Sequence, residues 1–555
     1  MFFIDSKLPI SFLVKPRMQS NWICRVHRFA AMCVLLLTIT SVPEIAQRLD
    51  FRMSSAVRTA NIGSTKTSLY AVDLTTGFSL VKKNVDEAMI PASNLKLITT
   101  AAALHTLGKE FSFATKLTLL NPPKALDVKT GQMGAMLLVQ GDGDPTFGDA
   151  DILRKYGQKI RDVEQLIGLW VDAVKKAQIK TVQRIIVDDS VFDRTFVHPS
   201  WPRDQLNRWY CAQVSGLNFY TNCLDVYPKP TKRGDGPLVQ VIPESPFIPK
   251  TNLAVTGSSD TFWISRKLGT NQIAFRGKVR HQRTKPVHVT IHDPPIYFAQ
   301  LFADRLIKAG IGVKEIARPM PNDNLNVGRG LHIIRTPLHI ALTRCNKNSQ
   351  NLYAEALFKR MGRHLTGSPG SFENGAAAAR IFLQKTVGTA AASVRTADGS
   401  GLSRQNFVTT RVMVDVLAAM HKNAKLKQVY RQSLSIAGVD GTLYKRMKDI
   451  SGIDTANKQY KARVYAKTGY INGVSALSGY LVIRRKGARA NGKVINAANG
   501  SNVSAQDGTG VAVAGDDDGR VIAFSFLFNN LKSPLGTVMH LQDELVKILH
   551  DHYVK

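Results

Sequence analysis

Cysteine is scarce in this chain, with five among 555 residues. Cys24 and Cys33 fall near the N-terminus, which leaves Cys211, Cys223 and Cys345 for the body of the protein. None has metal-ligand spacing, so neither a metal site nor a cofactor is expected. In an oxidising compartment Cys211 and Cys223 can pair and close a short loop, leaving one thiol over. His288 and His292 share one face of an expected strand without further ligands, which favours a structural role for both. Acidic residues are also few. Lys plus Arg outnumber Asp plus Glu by 74 to 41, for a formal charge of +33. Such a field attracts polyanions in general: nucleic acid, anionic lipid surfaces or acidic cell-wall polymers. Zinc-finger spacing, an aromatic-plus-basic ribonucleoprotein motif and a Walker-type glycine loop are all missing. No specific nucleic-acid partner is therefore expected, while peripheral association with membrane or cell wall stays open.

Long apolar runs are lacking too. The stretch from Phe29 to Ile39 is shorter than the roughly 20 residues a membrane span needs. Preceded by Arg25, His27 and Arg28, it has the form of a signal-peptide core. Residues 1–48 are accordingly expected to be a signal peptide or N-terminal anchor, and the protein to be periplasmic or otherwise extracytoplasmic. Pro43, with Thr40, Ser41 and Ala46 around it, marks the cleavage region, and Met18 offers an alternative start.

What is present is a set of three short motifs in order: Ser93-Asn94-Leu95-Lys96, Ser349-Gln350-Asn351 and Lys467-Thr468-Gly469. A Ser-x-x-Lys alone says little in a chain this rich in both residues. Ser79-Leu80-Val81-Lys82 is a second example, but Leu69 to Lys82 reads as two alternating runs around Thr75-Thr76-Gly77. That is a hairpin, so Ser79 and Lys82 face opposite ways. Pro91-Ala92 instead precedes Ser93 as a helix start, and Leu95, Leu97, Ile98, Ala101, Ala102 and Leu104 carry the burden of a buried helix. On a helix, Ser93 and Lys96 share one face with Cβ atoms about 5–6 Å apart. A free lysine, with a pKa of about 10.4, is protonated at neutral pH and a poor base. Burial, the positive end of the helix and the approach of Lys467 are expected to push Lys96 toward the neutral amine, which can then deprotonate Ser93. Ser349 can relay a proton, and Asn351 can hold a substrate amide carbonyl. Lys467-Thr468-Gly469 sits in an extended context where a peptide can add as a strand. Gly469 admits its backbone, and Lys467 and Thr468 offer charge and hydroxyl to a terminal carboxylate.

At this length two or three domains are expected. The expected fold class is α/β (α+β). After the Ser93 helix and the strand Phe113 to Leu120, the run Met136 to Gln140 leads to the corner Gly141-Asp142-Gly143-Asp144-Pro145-Thr146. A helix from Val163 to Ala177 and a strand from Arg184 to Val187 follow, an α/β rhythm. Short alternating runs cut by Pro and Gly then indicate a small all-β module at about 224–291. The division is 49–118 and 331–555 for one split domain, with 119–330 inserted into it. Val474 to Ile483 and Val521 to Phe528 read as neighbouring strands separated by a flexible insertion at 484–520. Leu535 to Leu549 is a closing helix. Asp516-Asp517-Asp518 reads as a solvated loop tip rather than a calcium site. No internal repeat is apparent.

The three motifs, with Gly143-Asp144-Pro145-Thr146, Asp398-Gly399-Ser400-Gly401-Leu402-Ser403-Arg404 and Gly438-Val439-Asp440-Gly441-Thr442, resemble the class C low-molecular-mass penicillin-binding proteins. The likeness runs from about Asn61 to the C-terminus. It implies a penicillin-binding/β-lactamase-like serine transferase domain split by an inserted domain. It also implies a serine-type D-Ala-D-Ala carboxypeptidase, with endopeptidase action on cross-links as a further activity on peptidoglycan stem peptides. By the same resemblance Ser93 is acylated, Lys96 is the base and Ser349 the shuttle. Asn351, Lys467, Thr468 and Gly469 hold substrate, and the amides of Ser93 and Tyr470 form the oxyanion hole. Asp188 and Arg404 are expected at the far end of the stem peptide, and β-lactam antibiotics are expected as covalent inhibitors. Tyr470 stands where a smaller residue is common. A serine β-lactamase or esterase on the same scaffold, or a catalytically silent wall-binding protein, are the alternatives.

Overall fold

The computed structural model describes residues 47–120, 135–156, 160–451, 460–485 and 519–554. The leader before residue 47, Asp516-Asp517-Asp518 and nearly all of the expected insertion 484–520 lie outside these residues.

Two distant parts of the chain meet in one sheet. Its six strands run in the order Ser435–Ile436, Tyr460–Ile471, Val474–Arg485, Arg520–Asn529, Lys66–Asp73 and Ser79–Lys83, each antiparallel to its neighbours. Arg520–Asn529 reads as an unbroken apolar run because both of its faces are covered. Ile522, Phe524, Phe526 and Phe528 pack with Leu541 and Leu545 of the helix Leu535–Val554 and with Leu49 and Met53 of a helix at 47–59. The alternate residues Val521, Ala523 and Leu527 pack into a layer of helices on the other side. That layer contains Leu95–Leu107, Leu338–Lys347, Asn351–Thr366, Phe372–Val387 and Thr410–Lys422. Leu95–Leu107 is its centre, with Leu95, Leu97, Ile98, Ala101, Ala102 and Leu104 all at 0% exposure. The α-helix begins two residues after Ser93, which sits in a 3-10 turn, Ala92–Asn94.

A second sheet has the order Gly312–Ala317, Thr181–Asp188, Ala135–Gln140, Ser112–Leu120 and Gly328–Pro337. Its first three strands are parallel, and the remaining pairs antiparallel. Helices Val163–Lys176 and Pro294–Lys308 pack on it around Trp170, Phe298 and Phe302. Residues 223–290 form three small sheets and no helix. Two expected boundaries, at 118 and 330, fall inside strands. Ser112–Leu120 and Gly328–Pro337 pair with each other, so the chain enters and leaves the second unit as one antiparallel ribbon. That pairing joins segments about two hundred residues apart in sequence, and neither strand's own pattern announces it.

Cys211, Cys223 and Cys345 are buried, unbridged thiols, so the expected Cys211–Cys223 pairing is not made. Among the described residues no helix is long and apolar enough to cross a membrane. Trp170 is 1% exposed, and its ring packs against Phe147, Phe298 and Phe302. Trp170→Ala should destabilise this unit by about 3–5 kcal/mol, read as a lower denaturant midpoint by circular dichroism.

Candidate active site

The turn that carries Ser93 is held from three directions. Asn529 of the central sheet accepts from Ile90 N (2.8 Å) and donates to Ile90 O (3.0 Å). The Asn94 amide, oriented as its neighbours dictate, donates to Lys467 O (2.6 Å) and accepts from Leu477 N (3.1 Å). Ala92 has a left-handed φ of 46°, a conformation a side-chain-bearing residue holds only where its surroundings impose it. One turn on, Lys96 is completely buried. Its ammonium reaches Ser93 Oγ at 2.9 Å, Asn351 Oδ1 at 2.7 Å and the Ser400 carbonyl at 2.8 Å. Ser79 and Lys82, by contrast, lie on the strand Ser79–Lys83, where they cannot cooperate.

Ser349 and Asn351 come from the junction of two helices, Leu338–Lys347 and Asn351–Thr366. Ser349 has φ of 58° and accepts a hydrogen bond from Lys467 Nζ at 2.8 Å. Lys467 also donates to Thr468 O (2.7 Å), and the Thr468 hydroxyl donates to Thr442 Oγ1 (2.9 Å). The Thr442 segment is thus a wall of the site. Ser435–Ile436 pairs with only Tyr465 and Ala466 of the long strand. From Lys467 to Ile471 that edge has no partner strand among the described residues, and an extended peptide can dock there. Gly469 lets this strand lie close against the Ser93 turn: a Cβ there would meet Pro91 O at 2.7 Å and Asn94 N at 3.0 Å.

Burial is the main cause that lowers the Lys96 pKa, to about 8, with Cys345, Glu355 and Asp398 pulling the other way. The expected push from Lys467 does not figure among the causes that lower the Lys96 pKa. The repulsion between the two amines is felt at Lys467, which burial first and Lys96 second drive well below the ordinary lysine range. Such a cluster can activate a hydroxyl with one amine and meet an anion with the other, whose charge the anion restores.

Arg404 donates to Asn472 O (2.8 Å) in the turn just past Tyr470, which is 56% exposed. Both therefore lie along the docking edge. Asp188 does not join them. Its carboxylate accepts from Gln140 Nε2 (2.9 Å) and Ser190 N (3.0 Å) beside a separate cavity of about 310 Å³ that Arg360 also lines. Arg360 is nine residues along its helix from Asn351, about 13 Å at 1.5 Å per residue. The inserted segment that does reach the site is 201–210: Trp201 Nε1 donates to Asp398 (2.9 Å), and Tyr210 O accepts from Asn351 Nδ2 (2.8 Å). Its acidic side chain is Asp204, exposed in the turn Arg203–Gln205. Sequence reasoning passed over Asn94, Thr442, Tyr210 and Asp204. Asn94 and Thr442 lie in quoted motifs, whereas nothing local marks Tyr210 and Asp204.

A family model described as the D-Ala-D-Ala carboxypeptidase 3 (S13) family matches residues 50–549. The chain belongs to this family. It is 31% identical over 429 residues to a D-alanyl-D-alanine carboxypeptidase of Actinomadura sp. (strain R39), covering 74% of each chain. With the D-alanyl-D-alanine carboxypeptidase DacB of Haemophilus influenzae it shares 28% over 408 residues, 72% of this chain and 78% of that one. A crystal structure of penicillin binding protein 4 (dacB) from Haemophilus influenzae has the same fold, with a TM-score of 0.68 at 23% identity over 90% of this chain and 99% of the other. The same protein complexed with a novel β-lactam gives 0.62 at 22% identity, with the same shares covered.

Two outcomes follow for the family's penicillin reaction. With Lys96 as the expected base, which must be neutral to act, the acylation rate should rise with pH through an inflection near 8, measured by rapid-quench labelling. Gly469→Ala should slow the same reaction about 100-fold by pushing the strand off the Ser93 turn, with circular dichroism unchanged.

Proposed function

We propose that the protein removes the terminal D-alanine of peptidoglycan stem peptides as a serine-type carboxypeptidase, and opens D-Ala cross-links as an endopeptidase by the same chemistry. The observation that carries this reading is a pair of contacts: Lys96 Nζ to Ser93 Oγ at 2.9 Å at the start of one helix, and Lys467 Nζ to Ser349 Oγ at 2.8 Å between the strand and the helix junction. The substrate adds to the free edge at Lys467–Ile471, with its terminal carboxylate at Lys467 and Thr468. Neutral Lys96 takes the Ser93 proton as Oγ attacks the penultimate carbonyl carbon, and the amides of Ser93 and Tyr470 receive the oxyanion. The proton then passes by way of Ser349 to the departing amine, the peptide C–N bond breaks, and D-alanine leaves. Water activated by Lys96 hydrolyses the ester. β-Lactams enter by the same attack, their ring amide breaking in place of the peptide bond.

The far end of the stem peptide meets Arg404 and, in place of Asp188, Asp204, the acidic residue of the inserted segment that reaches the site. We read residues 49–118 and 331–555 as one catalytic unit that shares its connecting ribbon with the insertion. The formal charge of +33 suits a location outside the cytoplasm beside an acidic wall or membrane surface, and calls for no specific nucleic acid.

Mass spectrometry of a defined disaccharide pentapeptide incubated with the protein should show loss of one alanine residue. Ser93→Ala should abolish both this loss and covalent labelling by fluorescent penicillin. An intact pentapeptide together with an unlabelled wild type would contradict the reading.

A further inference from the structure

Helix Asn351–Thr366 carries three buried polar residues one turn apart, Asn351, Glu355 and Lys359, among Leu352, Leu357, Phe358 and Met361. Spacing of four puts them on one face. Asn351 meets Lys96, and Lys359 donates to Asp193 (2.5 Å) and Thr195 O (2.8 Å), pinning the inserted unit. Between them, the fully buried Glu355 carboxylate accepts from Gly399 N at 2.7 Å and Ser400 N at 2.9 Å. The carbonyls of the same two residues face the Ser93 helix: Thr99 donates to Gly399 O (2.6 Å) and Lys96 to Ser400 O (2.8 Å). Gly399 lies flat on the helix, where a Cβ would meet Ala354 O at 2.6 Å. Glu355 thus reaches Lys96 through one residue, Ser400, whose N–H bonds the carboxylate and whose carbonyl, in the next peptide unit, accepts from the lysine.

A neutral amine has two N–H bonds and one lone pair. Asn351 Oδ1 and Ser400 O can only accept. Each therefore claims one N–H, and the lone pair is left for the one partner able to donate, the Ser93 hydroxyl. Resting on the acylation scheme above, we infer that Glu355 is a positioning residue for the base: by anchoring the Gly399–Ser400 peptides it aims the Lys96 lone pair at Ser93. A carboxylate suits the task because two N–H groups need two acceptor oxygens. Burial and Asp398 push its carboxyl up, while the bonds from Ser400 and Gly399, which occupy both oxygens, and the charge of Lys96 favour the ionised form. A glutamine offers one oxygen and turns its N–H₂ toward the other peptide N–H, so the loop must shift.

The charged or titratable groups facing Lys96 are Cys345 on Leu338–Lys347, Glu355 on its own helix, Asp398 in the loop and Lys467 on the strand. Glu355→Gln removes one of the two carboxylates that favour the ammonium. It should slow penicillin acylation about 10- to 100-fold, the range in which partners that orient a reacting group act. Reversible binding of a stem peptide should be unchanged, and the acid limb of the pH profile should move to lower pH. Glu355→Asp keeps the charge but loses reach, and should be slow with its limb in place. A folded Glu355→Gln that acylates at wild-type speed, or is slow with an unmoved limb, overturns the inference. So does the failure of both variants to fold, since Glu355 then only holds the core. An unlabelled wild type would instead remove the scheme on which the inference rests.

Discussion

An amine is sealed from water in the middle of this protein, and the arrangement of its neighbours follows from that. Burying an uncompensated ammonium costs several kcal/mol, so each of its hydrogen atoms needs an acceptor. Lys96 finds them in Ser93, Asn351 and the Ser400 carbonyl. These come from three stretches of chain that only the helical layer and the central sheet bring together. The same burial that makes the group expensive lowers its proton affinity, which is what a base near neutral pH requires. The fold and the chemistry answer to one constraint.

The second amine completes the logic. Lys467 is as deeply buried as Lys96 but opens onto Ser349 and the unpaired strand edge. Two like charges this close disfavour each other, and burial and Lys96 together drive the Lys467 pKa well below the ordinary lysine range. Under the proposed function, recognition of the peptide's end at Lys467 and the charge of the Lys96 base would be electrostatically linked. The inserted unit takes part through Tyr210 O, Trp201 and the Lys359 contacts, so its docking bears on the geometry of the cleft.

Much of this was legible in the sequence, and for identifiable reasons. The choice of Ser93-Lys96 over Ser79-Lys82 rested on local periodicity, and both segments adopt the expected elements. The long strands Val474–Arg485 and Arg520–Asn529 and the helix Leu535–Val554 also stand where their apolar patterns put them. What escaped was everything decided by partners remote in sequence. The pairing of Ser112–Leu120 with Gly328–Pro337 is of this kind. So is Glu355, which looks like an ordinary helix glutamate until the loop from Asp398 folds onto it. Asp188 ends a well-predicted strand, but that strand delivers it to the far end of the Asn351 helix. Sequence order alone could not say which stretch of the insertion reaches the cleft, as Trp201 and Tyr210 do. The Cys211–Cys223 pairing was suggested by proximity in sequence, and the structure buries both sulfurs unbridged.

The central claim is that the Lys96 amine loses its proton near pH 8 in the folded protein. Carbon-13 labelling at lysine Cε, with the Lys96 signal identified by its absence in Lys96→Arg, follows that proton directly in an NMR titration. The account predicts a chemical-shift step centred near pH 8. A Lys96 signal that stays in its protonated position to pH 10 or above, as for an ordinary exposed lysine, would contradict it.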